Sequence, residues 1–150
     1  AMEAAALGYP ALAISLQVDK EFHLSYSEEI DFSNAAHFTA LFAGMLLEKK
    51  FHEDVQLLKV DVPTHATLET PWVLTRIAKQ RYYEPQKPKR KSWDEPAIVD
   101  YIEAANLNEA EDTDVYALRK KHFVSVTPMT LDMTSRVDLV ELEKLMREEQ

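Results

Sequence analysis

Met2-Glu3-Ala4-Ala5-Ala6-Leu7-Gly8-Tyr9-Pro10-Ala11-Leu12-Ala13-Ile14-Ser15-Leu16 changes character once, at Gly8. The residues before it are strong helix formers, and Gly8 suits the left-handed position just past a helix end. Tyr9-Pro10 breaks the helix, and the uncharged run Ala11–Leu16 reads as a strand buried on both faces. A helix feeding through a short turn into such a strand is the second half of a βαβ unit, which places the fold in the α/β class. No strand precedes the helix and no Ser, Thr, Asp or Asn caps it. The expectation is therefore that residues to the left of Ala1 belong to the same domain. The alternative is that Ala1-Met2 is a cloning scar before a native start.

Outward from this segment, residues 19–32 are polar and read as a loop. Asp31 or Ser33 can cap a helix over about 33–50, where Phe38, Leu41, Phe42 and Met45 form one apolar stripe. His37 lies beside that stripe and reads as a boundary residue rather than a ligand. Val55 to Val62 alternates as a strand that Pro63 ends, and Trp72–Ile77 reads as a further short strand. His122–Pro128 alternates again. Thr134 or Ser135 is expected to cap a closing helix to about Gln150, with Val137, Val140, Leu142, Leu145 and Met146 on its apolar face. No internal repeat is present.

With 150 residues the chain fits one domain, and 46% hydrophobic against 29% charged residues is too apolar for a disordered segment. The net charge of −9 argues against a general nucleic-acid coat and against docking on anionic lipid. There is no cysteine, which excludes disulfides, thiolate metal sites and cysteine nucleophiles. No apolar run reaches the roughly 18 residues that span a bilayer, and no signal peptide opens the chain, so it reads as cytosolic with no membrane partner. Only two glycines occur, Gly8 and Gly44, and a phosphate-cradling loop needs several close together.

Residues 79–114 have little core pattern. Seven basic residues from Arg76 to Lys91 (Arg76, Lys79, Arg81, Lys87, Lys89, Arg90, Lys91) precede eight acidic ones from Asp94 to Asp114. The basic block alone looks like an oligonucleotide or phosphate patch. The acids that follow at once would cancel its field. The favoured reading is a solvated arm, kept extended by Pro85, Pro88 and Pro96, whose charge blocks pair with each other or across a subunit interface.

Chemistry is sparse. There is no His-Glu-x-x-His helix and no Gly-x-Ser-x-Gly elbow. Ser15, Ser125 and Thr127 lie in strands without a histidine and a carboxylate at a recognisable spacing. The run Glu109-Ala110-Glu111-Asp112-Thr113-Asp114 offers oxygen ligands to a hard cation but lacks the spacing and glycine of a calcium loop, and reads as solvated acids.

Two segments together resemble a known family. Leu7-Gly8-Tyr9-Pro10-Ala11-Leu12-Ala13-Ile14-Ser15-Leu16 resembles the helix-to-strand passage of the survival protein E (SurE) family of nucleotidases. Thr113-Asp114-Val115-Tyr116-Ala117-Leu118 and Phe123-Val124-Ser125-Val126-Thr127-Pro128-Met129-Thr130-Leu131-Asp132-Met133-Thr134 resemble its C-terminal signature. Leu57–Pro63 and Thr75-Arg76 match in order, and residues 84–108 match least. The resemblance implies a C-terminal portion of a three-layer, Rossmann-like α/β sandwich with a protruding β-hairpin arm and a swapped C-terminal helix used for oligomerisation. Residues 1–78 would be core, 79–114 the arm, and 115–150 the returning strand and swapped helix.

It also implies a homodimer or homotetramer that hydrolyses the phosphomonoester of nucleoside monophosphates with Mg²⁺ or Mn²⁺. The cation would polarise the phosphoryl oxygens and lower the pKa of the attacking water. The family's ligands are two adjacent aspartates, a serine and an asparagine in its N-terminal half. None has a counterpart here, so no catalytic, cofactor-binding or metal residue is carried over, and the chain alone is expected to be inactive. The missing half also accounts for the scarcity of glycine. Ser92-Trp93-Asp94-Glu95-Pro96 stands where the family's arm has an aromatic, glycine-bearing strand. The competing readings are a non-catalytic oligomerisation module and, more weakly, nucleic-acid binding through Lys87–Lys91.

Overall fold

A computed structural model describes residues 1–23, 27–104 and 109–148. Helix α1 (Met2–Ala6) ends as its sequence requires. Gly8 sits at φ +82°, its N–H donates to the Ala5 carbonyl at 2.9 Å, and the Tyr9 N–H donates to Ala4 at 3.0 Å. These two bonds satisfy carbonyls that the helix end leaves open. Strand β1 (Ala11–Leu16) follows, then one 3₁₀ turn at Lys20–Phe22. Helix α2 (Ser33–Glu48) has Phe32 at its N-cap with no side-chain cap bond, so neither Asp31 nor Ser33 is the capping residue; Asp31 Oδ1, one residue earlier, accepts the Ser33 N–H at 2.8 Å in a local turn.

Strands β2 (Leu57–Val62), β3 (Trp72–Leu74) and β6 (Val124–Met129) join β1 in one sheet of order β1-β2-β6-β3. β1 runs parallel to β2, β6 antiparallel to β2, and β3 parallel to β6. Period-two alternation divides the sheet into two unlike faces. Leu12, Ile14, Leu16, Leu58, Val60, Val62, Val124 and Val126 pack with Phe38 and Phe42 of α2, and Trp72 meets Phe42 edge-on at 5.6 Å. The opposite face carries Ser15, Lys59, Asp61, Ser125 and Thr127, with Asp61 paired to Ser15 on one side and to Ser125 on the other. α1 covers the start of this second face through Ala5, Ala11 and Leu57.

Between β3 and β6 the chain makes an excursion. Strands β4 (Tyr83–Gln86) and β5 (Asp100–Glu103) pair antiparallel as a two-stranded hairpin. Helix α3 (Asp114–Tyr116), capped by Thr113, continues into a wider π-helical turn at Ala117–Lys121. His122, at φ +53°, ends it, and the closing helix α4 spans Leu139–Arg147.

Several sequence expectations need correction. The strand expected over Trp72–Ile77 stops at Leu74, because Arg76 leaves β6 to bridge Thr113. The strand expected from His122 begins at Val124, because His122 is left-handed and the Phe123 N–H is drawn to the Ala117 carbonyl at 3.0 Å. Neither Thr134 nor Ser135 caps α4. Asp132 Oδ1 takes the Thr134 N–H in a local turn, and Asp138 Oδ1 accepts from Val140 and Glu141 at 2.8 and 3.2 Å. The expected end at Gln150 lies outside the described residues. Ser92–Pro96 forms no strand; it lies in the connection between the hairpin strands, with Trp93 exposed.

Candidate functional site

The polar face of the sheet is a hydrogen-bonded network whose carboxylates and hydroxyls are buried except at Ser15. Ser15 Oγ donates to Asp61 Oδ1 at 2.8 Å. The Lys59 ammonium donates to Asp61 Oδ2 and, at 3.0 Å, to Asp114 Oδ2. Asp114 Oδ1 accepts the backbone N–H of Ala78 and of Val115, both at 2.9 Å. Beside them, Thr75 Oγ1 bonds the hydroxyls of Ser125 and Thr127 at 2.8 and 2.7 Å. Asp61 and Asp114 are only 8% and 6% exposed, so each needs a counter-charge or donors within the fold, and Lys59 serves both. Burial pulls the Lys59 pKa down, but the hydrogen bonds and charges of Asp61 and Asp114 outweigh it, and the net displacement is upward. Lys59 is thus a fixed cation at neutral pH, set between the two carboxylates.

This network floors a cavity of 330 Å³ lined also by Gln17, His23, Tyr82, Tyr83, Val115 and Leu118. A second cavity of 480 Å³ shares Gln17, Tyr82 and Leu118 and adds Asp19, His65, Glu103 and Arg119. The larger cavity lies beyond the carboxyl ends of β1 and β2, where ligands enter open α/β sheets, and the smaller one runs back from there over the polar face of the sheet. The hairpin supplies the facing wall. Tyr82 and Tyr83 meet edge-to-face at 4.4 Å, and Tyr83 and Tyr101 at 4.9 Å. Arg119 stands 5.1 Å over the Tyr82 ring and ion-pairs with Glu103 and Glu109. Burial first, and the Glu103 charge second, push the Tyr82 hydroxyl up to about 12; the same causes raise Tyr83.

His23 stacks on Tyr101 at 6.0 Å and bonds its hydroxyl, while its other ring nitrogen meets the Val18 carbonyl at 3.1 Å. Both nitrogens are therefore committed. Ser15 is bonded to Asp61 rather than to a base, so no serine–histidine relay exists here.

The donor set does not fit a divalent cation. The position between the Asp61 and Asp114 carboxylates is taken by the Lys59 ammonium, and among the described residues no group of three or more His, Asp or Glu side chains is placed to hold a metal. The acidic run is not simply solvated. Glu109 is buried against Arg119 and Asp114 against Lys59, while Asp112 meets Arg76 at 3.1 Å as a pair between the two charge blocks. Lys87–Lys91 lies near the hairpin's far end, where Arg90 stands 4.2 Å over the Trp93 ring. His37 is exposed on α2, as a boundary residue is.

The sequence reading placed Ser15, Ser125 and Thr127 on strands but missed the network that joins them. Its signal was present: Lys59 and Asp61 are opposite charges two apart on one face of an otherwise apolar strand.

The family described as survival protein SurE matches residues 1–84. The 5'-nucleotidase SurE of Thermococcus kodakarensis is 40% identical over 147 residues, 97% of this chain and 56% of the relative. That of Thermococcus gammatolerans is 38% identical over 147 residues, 97% of this chain and 54% of the relative. The crystal structure of the SurE protein from Aquifex aeolicus superposes with a TM-score of 0.66 at 25% identity, covering 97% of this chain and 55% of that one. The chain spans about half the length of the curated relatives it matches. No helix among the described residues is long and apolar enough to cross a membrane. With a mixed four-stranded sheet, a hairpin and a family match over more than half its residues, this chain belongs to the survival protein SurE family.

Proposed function

We propose that this chain is the C-terminal portion of a divalent-metal-dependent 5'-nucleotidase, a phosphohydrolase that cleaves the phosphomonoester of nucleoside monophosphates in the cytoplasm. The observation that carries the reading is the similarity to two Thermococcus 5'-nucleotidases over 97% of the chain. A second observation supports the partial-chain reading. Among the described residues β1 pairs only with β2, which leaves one side of an apolar, parallel strand open, and such strands ordinarily lie inside a sheet. In this reading further strands continue the sheet into a three-layer sandwich, and the Mg²⁺ or Mn²⁺ is held by ligands outside these 150 residues. Residues 1–78 complete the core, 79–114 form the arm, and 115–150 return a strand and end in a swapped helix. The assembly is a homodimer or homotetramer.

The test is phosphate release from nucleoside monophosphates with Mn²⁺ by the full-length gene product, alongside the 150-residue chain. Release by the former and none by the latter is expected; no release by the full-length product above a no-enzyme control overturns the reading. A second reading, a non-catalytic oligomerisation module, is favoured by one feature: α4 exposes Leu139, Val140, Leu142, Leu145 and Met146 together. It predicts full assembly without phosphate release.

A further inference from the structure

We propose that the tip of the hairpin, Lys87–Trp93, docks single-stranded nucleic acid, with its cations on the phosphates and the Trp93 indole on a base. Lys87–Glu95, in the connection between β4 and β5, holds four cations and two carboxylates in a chain of net charge −9. By sequence order the acidic block downstream would cancel these cations, but the fold sends those acids elsewhere. Asp100 pairs with Lys20, Glu103 and Glu109 with Arg119, Asp112 with Arg76 and Asp114 with Lys59. Lys87, Lys89 and Lys91 are exposed, and among the described residues none of their ammonium groups meets a carboxylate. A local surplus of positive charge therefore survives on an acidic molecule. The net charge speaks against a general nucleic-acid coat, not against one basic tip.

The tip is also shaped. The Arg90 N–H donates to the Pro88 carbonyl at 3.1 Å and the Lys91 N–H to Glu95 Oε2 at 2.8 Å, which commits Glu95 to the turn. Lys87, Pro88, Arg90, Lys91, Ser92 and Trp93 line a notch of 250 Å³, and no carboxylate is among them. The Arg90 guanidinium stands 4.2 Å over the Trp93 ring and holds it from one side, while the indole is 86% exposed. A base can continue this stack on the open face of the ring. The indole amid cations selects the ligand. In a duplex the base faces are already stacked on one another and give the ring no partner. An anionic bilayer is a plane that would meet Asp94 and Glu95 together with the lysines, and the net charge of −9 repels it. A single strand is narrow, carries phosphates in a row and offers free base faces.

The test is fluorescence anisotropy of a labelled oligothymidylate of about ten nucleotides, titrated with the full-length gene product at about 50 mM salt. The probe carries no terminal phosphomonoester, so the outcome is independent of phosphate release. Saturable binding that weakens as salt rises is expected. The triple variant Lys87→Glu, Lys89→Glu, Lys91→Glu should weaken it about tenfold or more and flatten the slope of log affinity against log salt by about 2. Trp93→Ala should weaken it about tenfold and Trp93→Phe restore it, with every variant keeping the wild-type Tm and the wild-type mass in light scattering. No saturation, or wild-type affinity in the triple variant, overturns the proposal. So does equal affinity for an abasic strand of the same length or for a duplex, and so does tighter binding to phosphatidylglycerol vesicles, which would make the tip a membrane contact. A triple variant that loses mass together with binding also overturns it, by assigning the tip to a contact between copies of this chain.

Discussion

Asp114 holds Ala78: its Oδ1 accepts the Ala78 backbone N–H at 2.9 Å, across 36 positions of sequence. The same carboxylate reaches the Lys59 ammonium in the middle of the sheet, and next to it the Arg76 N–H donates to Asp112 at 2.8 Å and the Asp114 N–H to Arg76 at 2.9 Å. One side chain therefore clips both feet of the hairpin excursion to the β2 strand. Asp114→Ala strips Ala78 and Val115 of an acceptor, and is expected to lower stability by about 1–3 kcal/mol. Lys59→Met leaves two buried carboxylates with no counter-charge and is expected to cost about 3 kcal/mol or more. Urea unfolding measures both, and trypsin cleavage at Lys87–Lys91 should accelerate in Asp114→Ala. A wild-type urea midpoint in that variant contradicts the clip.

The same network sets an alkaline limit. Lys59 holds its proton more tightly folded than unfolded, so its contribution is complete below the ordinary 10.5 and is lost as pH rises through the higher folded value. Tyr82 acts with the same sign, because the unfolded phenol ionises near 10.0 while the folded one waits until about 12. Stability should hold level up to about pH 9.5 and fall above about pH 10, less steeply in Tyr82→Phe. On the acid side the hydrogen bonds of Ser33, Lys20 and Thr134 hold Asp31, Asp100 and Asp132 below 3.8, and their small contributions fade as pH falls through those lowered values. Absorbance at 295 nm checks the tyrosine claim: part of the signal from the chain's six tyrosines should appear only near pH 12. A single tyrosine titration centred at 10 would refute it.

What could be read in the sequence was what local physics fixes. Gly8 stopped α1, the Phe38–Phe42–Met45 stripe set the buried side of α2, and alternation found β2 and β6. What could not be read depended on distant partners. Thr134 and Ser135 look as able to cap as Asp138 until Asp132 is seen to fold the preceding turn. Ser15 and Asp61 meet only because β1 and β2 pair in one register out of several. Asp114 in an acidic run looks solvated, and only the return of the chain past Ala78 carries it inside.

His122 marks a local conflict that can be relieved. It is a non-glycine residue at φ +53°, where Cβ crowds the following carbonyl. His122→Gly should stabilise the fold by about 0.5–1 kcal/mol, a rise of about 1–4 °C in Tm, and His122→Val should lower it. Thermal unfolding by circular dichroism decides, and an unchanged or lower Tm in the glycine variant contradicts the strain.

α4 has nine residues, too few to hold a helix in water alone, and none of its apolar side chains is buried among the described residues. Its order therefore depends on a surface elsewhere, and the proposed assembly supplies one. Replacing Leu142 and Leu145 by Glu removes that contact while touching nothing in the α2-facing core. The expected result is a lower mass by light scattering, with core unfolding within about 0.5 kcal/mol of wild type. Deleting about residues 82–108, whose described part holds the hairpin and one buried apolar residue, Ala104, should likewise lower the mass more than the melting temperature. The wild-type mass in both variants would remove the arm and the last helix from the assembly and, with them, the oligomeric part of the proposal.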